Sequence, residues 1–110
     1  MRALWLLCCL AACAAPARQQ PACDGAFELA NTSDREIEQL YAGGRRDLLE
    51  PGVMRVGERR RFQAEGPGNA TLRIVFTDGT AAGIGQLDLC TLPVILVTRD
   101  GVQARPGVAR

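Results

Sequence analysis

Acyl transfer and proton transfer at neutral pH most often rely on histidine, and this chain has none. Its single serine, Ser33, therefore lacks the usual base that makes a hydroxyl a nucleophile, and no G-x-S-x-G elbow surrounds it. The 12 carboxylates could contain a pair for glycoside hydrolysis, but no spacing singles one out. Asp24, Asp78 and Asp100 each precede a glycine, which is ordinary turn chemistry. Together with Asp88 they lack the D-x-D-x-D spacing of a calcium loop. Gly83-Ile84-Gly85 is too short for a phosphate loop. The expectation is a non-enzymatic chain with no metal and no cofactor.

The cationic residues are the other chemical resource. All 13 are arginine, and Arg59-Arg60-Arg61 is the densest group, with Arg45, Arg46 and Arg55 nearby in sequence. A guanidinium fork suits phosphate and carboxylate, so lipid, lipopolysaccharide or cell-wall anions are conceivable ligands. Strand alternation sends Arg60 to the face opposite Arg59 and Arg61, and Glu50, Glu58 and Glu65 interleave with the cluster. A solvated strand is the plainer reading of the triplet. Arg59, Arg61 and the lone tyrosine, Tyr41, are the candidate binding surface. A net charge of +1 argues against nucleic acid as a partner.

Several elements must position these residues, and the first of them is an address. Arg2 is followed by ten uncharged residues, Ala3 to Ala12. That is about half the length of a membrane-spanning helix and fits a secretory signal peptide. Leu10-Ala11-Ala12-Cys13 resembles the bacterial lipobox. The resemblance implies cleavage before Cys13 and acylation of its sulfur, giving a mature chain of 98 residues (110 − 12). Three acyl chains hold a protein firmly where one holds it only marginally. Ala14 in place of aspartate after Cys13 implies the outer membrane, facing the periplasm. Ala12-Cys13-Ala14 is also an A-x-A triplet, so a soluble periplasmic protein is the alternative.

Cys8 and Cys9 leave with the signal, and Cys13 is lipidated or removed. Cys23 and Cys90 remain as an even pair in an oxidising compartment. A disulfide between them is expected. Two buried free thiols, or a redox pair, are the rival readings, although redox pairs are usually close in sequence.

Ala14 to Ala22 holds two prolines and no apolar period, so residues 13–22 read as a tether. Strands are expected at Phe27–Asn31, Glu36–Tyr41 (with an irregularity, a helical face also being possible), Val53–Val56, Arg59–Ala64, Thr71–Phe76, Ala81–Leu89, Val94–Thr98 and Val102–Ala104. Val94–Thr98, a continuous apolar run, is expected to be a buried strand. Gly66–Asn69 reads as a loop, Asp78-Gly79 as a hairpin turn, and residues 105–110 as a flexible tail. About seven short strands without a convincing helix predict an all-β domain over residues 23–104. Its form would be a small antiparallel β-sandwich, immunoglobulin-like, or a partly open barrel.

The order Phe27-x-Leu29-x-Asn31, Ile37-x-x-Leu40-Tyr41, Asp47-x-Leu49, Gly57, Leu72 to Gly79 and Leu87-Asp88-Leu89-Cys90 resembles a group of small exported proteobacterial β-rich proteins of unknown function. The resemblance implies export and a β-rich domain, and lends no catalytic residue. The chain departs from the group twice. It lacks a cysteine before Thr71, and it carries Arg45-Arg46 where the group tends to have Trp-Gly.

These readings converge on a non-enzymatic envelope lipoprotein. Its partners are expected to be the membrane, through its lipid, and an envelope protein or cell-wall component. The alternatives are a structural protein without a ligand, and a periplasmic inhibitor of a hydrolase that presents the Gly66–Asn69 loop.

Overall fold

The computed structural model describes residues 24–66 and 69–107. Cys13, Cys23, the signal peptide and the tether lie outside these residues. Within them the chain forms seven strands: β1 (Ala26–Asn31), β2 (Ile37–Ala42), β3 (Arg59–Gln63), β4 (Asn69–Phe76), β5 (Ala81–Asp88), β6 (Val94–Thr98) and β7 (Gly101–Arg105). They make two sheets, one ordered β3-β1-β6-β7 and the other β2-β4-β5. The expected all-β sandwich is what the chain adopts.

Period-two alternation explains the packing. On β4, Ala70, Leu72, Ile74 and Phe76 are buried while Asn69, Thr71 and Arg73 are exposed. Phe27 and Leu29 of β1, Ile37 and Leu40 of β2, and Ile95 and Val97 of β6 meet them between the sheets. Burying each such side chain is worth about 1.5–3 kcal/mol. Met54 and Leu49, from the segment joining the sheets, close the core.

Three expectations need correction. Val53–Val56 is not a strand: only Met54 bridges Ile37, and Val53 and Val56 point to solvent. Gly52 and Gly57 leave too short a segment to pair, and Met54 is its only buried residue. Val94–Thr98 is buried on one face alone, Val94, Leu96 and Thr98 being half-buried, because no layer among the described residues covers the outer face of its sheet. The sandwich is also not wholly antiparallel, since β1 runs parallel to β6 with Glu28 opposite Val94. Glu36–Tyr41 resolves as a strand with a register shift between Ile37 and Gln39. Ala70 pairs with Leu87 but Leu72 with Ile84, so β5 bulges at Gly85 and Gln86, where Gln86 takes a φ of 52°.

The two poles of the sandwich differ. At one, β1 begins at Ala26 opposite Gln63, the end of β3, and β4 begins at Asn69 opposite Asp88, the end of β5. At the other, Asn31, Arg35, Asp78 and the 54–58 loop gather. There the Asp78 carboxylate accepts from the Thr80 hydroxyl (2.6 Å), the Thr80 amide (3.0 Å) and Arg35 Nη1 (3.5 Å). These bonds, led by that of the Thr80 hydroxyl, hold its pKa below the usual carboxylate range. Glu58 is lowered likewise, first by the Arg55 amide and then by the charge and donors of Arg60. A depressed pKa adds stability above the unfolded values, about 3.9 for aspartate and 4.3 for glutamate, and loses it as pH falls through the lower folded values. Thermal midpoints should therefore drop between about pH 5 and pH 3. An Asp78→Asn/Glu58→Gln variant should show a flatter profile, and identical profiles would refute this assignment.

Candidate functional site

Tyr41 lies on β2, half-buried, and its hydroxyl donates to Gln39 Oε1 at 3.0 Å. Register places Tyr41 opposite Arg73 of β4, and Arg73 opposite Gly83 of β5. Because Leu40 and Ile74 on either side are buried, this row faces outward. The Arg73 guanidinium carbon sits 5.9 Å from the Tyr41 ring centroid, within cation–π range. Gly83 has no side chain to screen Arg73 from its other side.

The chain turns sharply after β2. Gly43 adopts a φ of +80°, and a Cβ there would come within 2.6 Å of the Glu65 carbonyl oxygen, so the corner requires glycine. The turn brings Arg45 beside Tyr41. Tyr41, Gly43, Gly44, Arg45, Asn69 and Arg73 line most of an open cleft of about 650 Å³. Arg73 also borders a second hollow of about 390 Å³ over Ala81, Gly83 and Gly85. Among the described residues, neither Arg45 nor Arg73 has a carboxylate within 4.0 Å. Two unneutralised guanidinium groups and an aromatic face can hold an anionic group by charge-assisted hydrogen bonds.

Arg59 and Arg61 are elsewhere. Both project from the outer face of β3, an edge strand of the other sheet, where Arg59 Nη1 meets Glu28 Oε2 at 3.5 Å. Arg60 points the opposite way, bonding Glu58 at 2.8 Å and lying over Phe62 at 5.8 Å. The expected surface of Tyr41, Arg59 and Arg61 is thus not one surface. The chain crosses from one sheet to the other between Ala42 and Arg59, which parts residues that the sequence sets close together.

Arg73 carries no local signal in the sequence, and Arg45 stands apart from the β3 arginines that are near it in sequence. The Gly43-Gly44 pair next to Tyr41 was the available signal for a bare corner. The Arg73 pairing is a matter of register, which no local pattern displays. Ser33 is buried, and its hydroxyl donates toward Asn31 Oδ1 (2.6 Å) and the Arg35 carbonyl (3.0 Å), a structural engagement. No group of three or more His, Cys, Asp or Glu among the described residues could hold a metal ion. Cys90 is disulfide-bonded, and the other cysteines all lie outside the described residues. The Gly66–Asn69 loop falls partly outside them as well.

The fold and this cleft together define a small β-sandwich with an open, cationic, aromatic-edged hollow on one sheet. No family model, no curated protein and no solved structure matches the chain.

Proposed function

We propose that the chain is a lipid-anchored, non-enzymatic protein of the bacterial cell envelope whose β-sandwich serves as a binding module. The cleft carries the reading: Arg45 and Arg73 line it with Tyr41, and among the described residues neither has a carboxylate within 4.0 Å. The anchor rests on Leu10-Ala11-Ala12-Cys13, and the non-enzymatic character on the absence of histidine and the buried, engaged Ser33. A disulfide between Cys23 and Cys90 completes the reading. Cys90 is disulfide-bonded, and Cys23 is the one other cysteine that the signal and lipid reading leaves in the domain.

The test is an intact mass of the protein from its native envelope, alkylated with and without reduction. The expected mass is Cys13–Arg110 plus acyl chains, with both thiols labelled only after reduction. An unlipidated mass would overturn the anchor and favour a soluble periplasmic protein, the form a hydrolase inhibitor would take. Crosslinking in membranes supplies the second arm. An Arg45→Ala/Arg73→Ala variant should lose partners that an Arg59→Ala/Arg61→Ala variant keeps, and the reverse pattern would move the binding surface to β3.

A further inference from the structure

The cleft and the entry of the chain lie at the same pole. The Gln63 amide donates to the Asp24 carbonyl, and a Cβ on Gly25 would sit 3.3 Å from that of Ala64. The Glu65 amide in turn donates to the Ala42 carbonyl at 2.9 Å, and the Gly43 amide to the Thr71 carbonyl at 3.1 Å. Asp24, the end of β3, the glycine corner and the cleft are therefore stacked together. Between Cys13 and Asp24 stand ten residues, 14 to 23, which span at most about 35 Å when extended.

The charged groups at this pole are differently engaged. Asp24 is turned onto the Ala26 amide (3.0 Å), Glu65 onto the Arg46 amide (3.2 Å) and Asp88 onto the Cys90 amide (2.9 Å). Each carboxylate keeps its charge while bonded to the backbone, and Glu65 lies against Gly44 in the cleft wall, yet none among the described residues comes within 4.0 Å of the Arg45 or Arg73 guanidinium. Tyrosine, with an apolar ring and a polar tip, suits the boundary between headgroups and water.

We propose that the Tyr41 cleft docks the domain onto the anionic phosphate headgroups of the membrane that carries its anchor; this rests on the lipid-anchor reading above. Arg45 and Arg73 bind headgroup phosphate, and Tyr41 lies against the glycerol region. The acyl chains supply retention. The cleft supplies orientation, turning the pole with Val53 and Val56, the two exposed large apolar residues among those described, away from the bilayer.

The test uses the chain of residues 13–110 with Cys13→Ser, which keeps all seven strands and the whole described core, so that acylation does not mask the contact. It is sedimented with vesicles of phosphatidylcholine alone or with about one third phosphatidylglycerol. Each arginine near an anionic surface contributes roughly fivefold, so two give an anionic preference of roughly 25-fold, falling with salt. Arg45→Ala/Arg73→Ala should abolish the preference, Arg73→Lys should retain most of it, and Arg59→Ala/Arg61→Ala should leave it unchanged. Equal binding to both vesicles, or a preference indifferent to Arg45 and Arg73, overturns the proposal. Tyr41 is the sole tyrosine, and the only tryptophan, Trp5, precedes this chain, so cleft occupancy reads directly in tyrosine emission. A response to inorganic phosphate without a response to anionic vesicles would also overturn membrane docking, in favour of a soluble anion. An unlipidated native mass would remove the anchor while leaving the vesicle result standing, so the two failures are separable.

Discussion

Replacing Asn31 with aspartate should lower stability by about 3 kcal/mol or more at neutral pH, the largest loss expected from a single isosteric change. Asn31 is fully buried at the end of β1. Its Nδ2 donates to the carbonyls of Arg35 (2.9 Å), Arg55 (3.2 Å) and Met54 (3.5 Å), while its Oδ1 accepts from the Ser33 amide (3.2 Å) and hydroxyl (2.6 Å). A carboxylate keeps the shape but turns the donating end into an acceptor facing three carbonyl oxygens, with a charge and no counter-ion. A domain of this size has about 5–10 kcal/mol in total. The thermal midpoint should fall by about 12–24 °C at pH 7. Burial raises the pKa of the new carboxyl, so the penalty is small below the unfolded value of about 3.9 and grows as pH rises. Asn31→Ala, which orphans the carbonyls without adding charge, should cost about 2 kcal/mol with little pH dependence of its own. A midpoint for Asn31→Asp within a few degrees of wild type would show that the polar knot does not hold the 54–58 loop to β1.

Cys90→Ser should cost a comparable 2–5 kcal/mol, expressed differently. Cys90 sits in the turn that Asp88 organises, its side chain covalently tied to a segment outside the described residues. Paired with Cys23 as proposed, it closes a loop of 68 residues (90 − 23 + 1), worth about 4 kcal/mol on the chain-entropy account. A domain of this size buries only about 60–65% of its unfolded surface and has little reserve. The serine variant and the reduced wild type should therefore unfold at similar denaturant concentrations, well below the oxidised protein. Peptide mapping that joined Cys90 to a cysteine other than Cys23 would refute the pairing, and coincident midpoints with and without reductant would refute its weight.

Strand positions were legible where alternation is local. Leu72, Ile74 and Phe76 mark a strand face by themselves, and the irregularity around Ile37 is foreshadowed by apolar residues at mixed spacing. Pairing was not legible. Nothing in Phe27–Asn31 or Val94–Thr98 says that the two run side by side in the same direction, because direction is set by connections elsewhere in the chain. The candidate residues fall on different sheets for the same reason. Arg59 and Arg61 looked close to Tyr41 because fewer than twenty residues separate them, yet the segment between them crosses from sheet to sheet. Arg73 is more than thirty residues from Tyr41 and is its direct neighbour across the ladder. Val53 and Val56 misled by composition: β-branched residues suit a strand, but two glycines confine them to a loop with one inward position.

The place of β1 has a mechanical consequence. The first strand is interior to its sheet, five residue pairs joining it to β3 and four to β6. Tension on the chain upstream of Asp24 is applied along the strand axis, so both ladders are loaded in shear and their hydrogen bonds must yield together. An edge strand drawn sideways would instead peel open one bond at a time. A domain loaded through its first strand in this way resists being pulled open from that end.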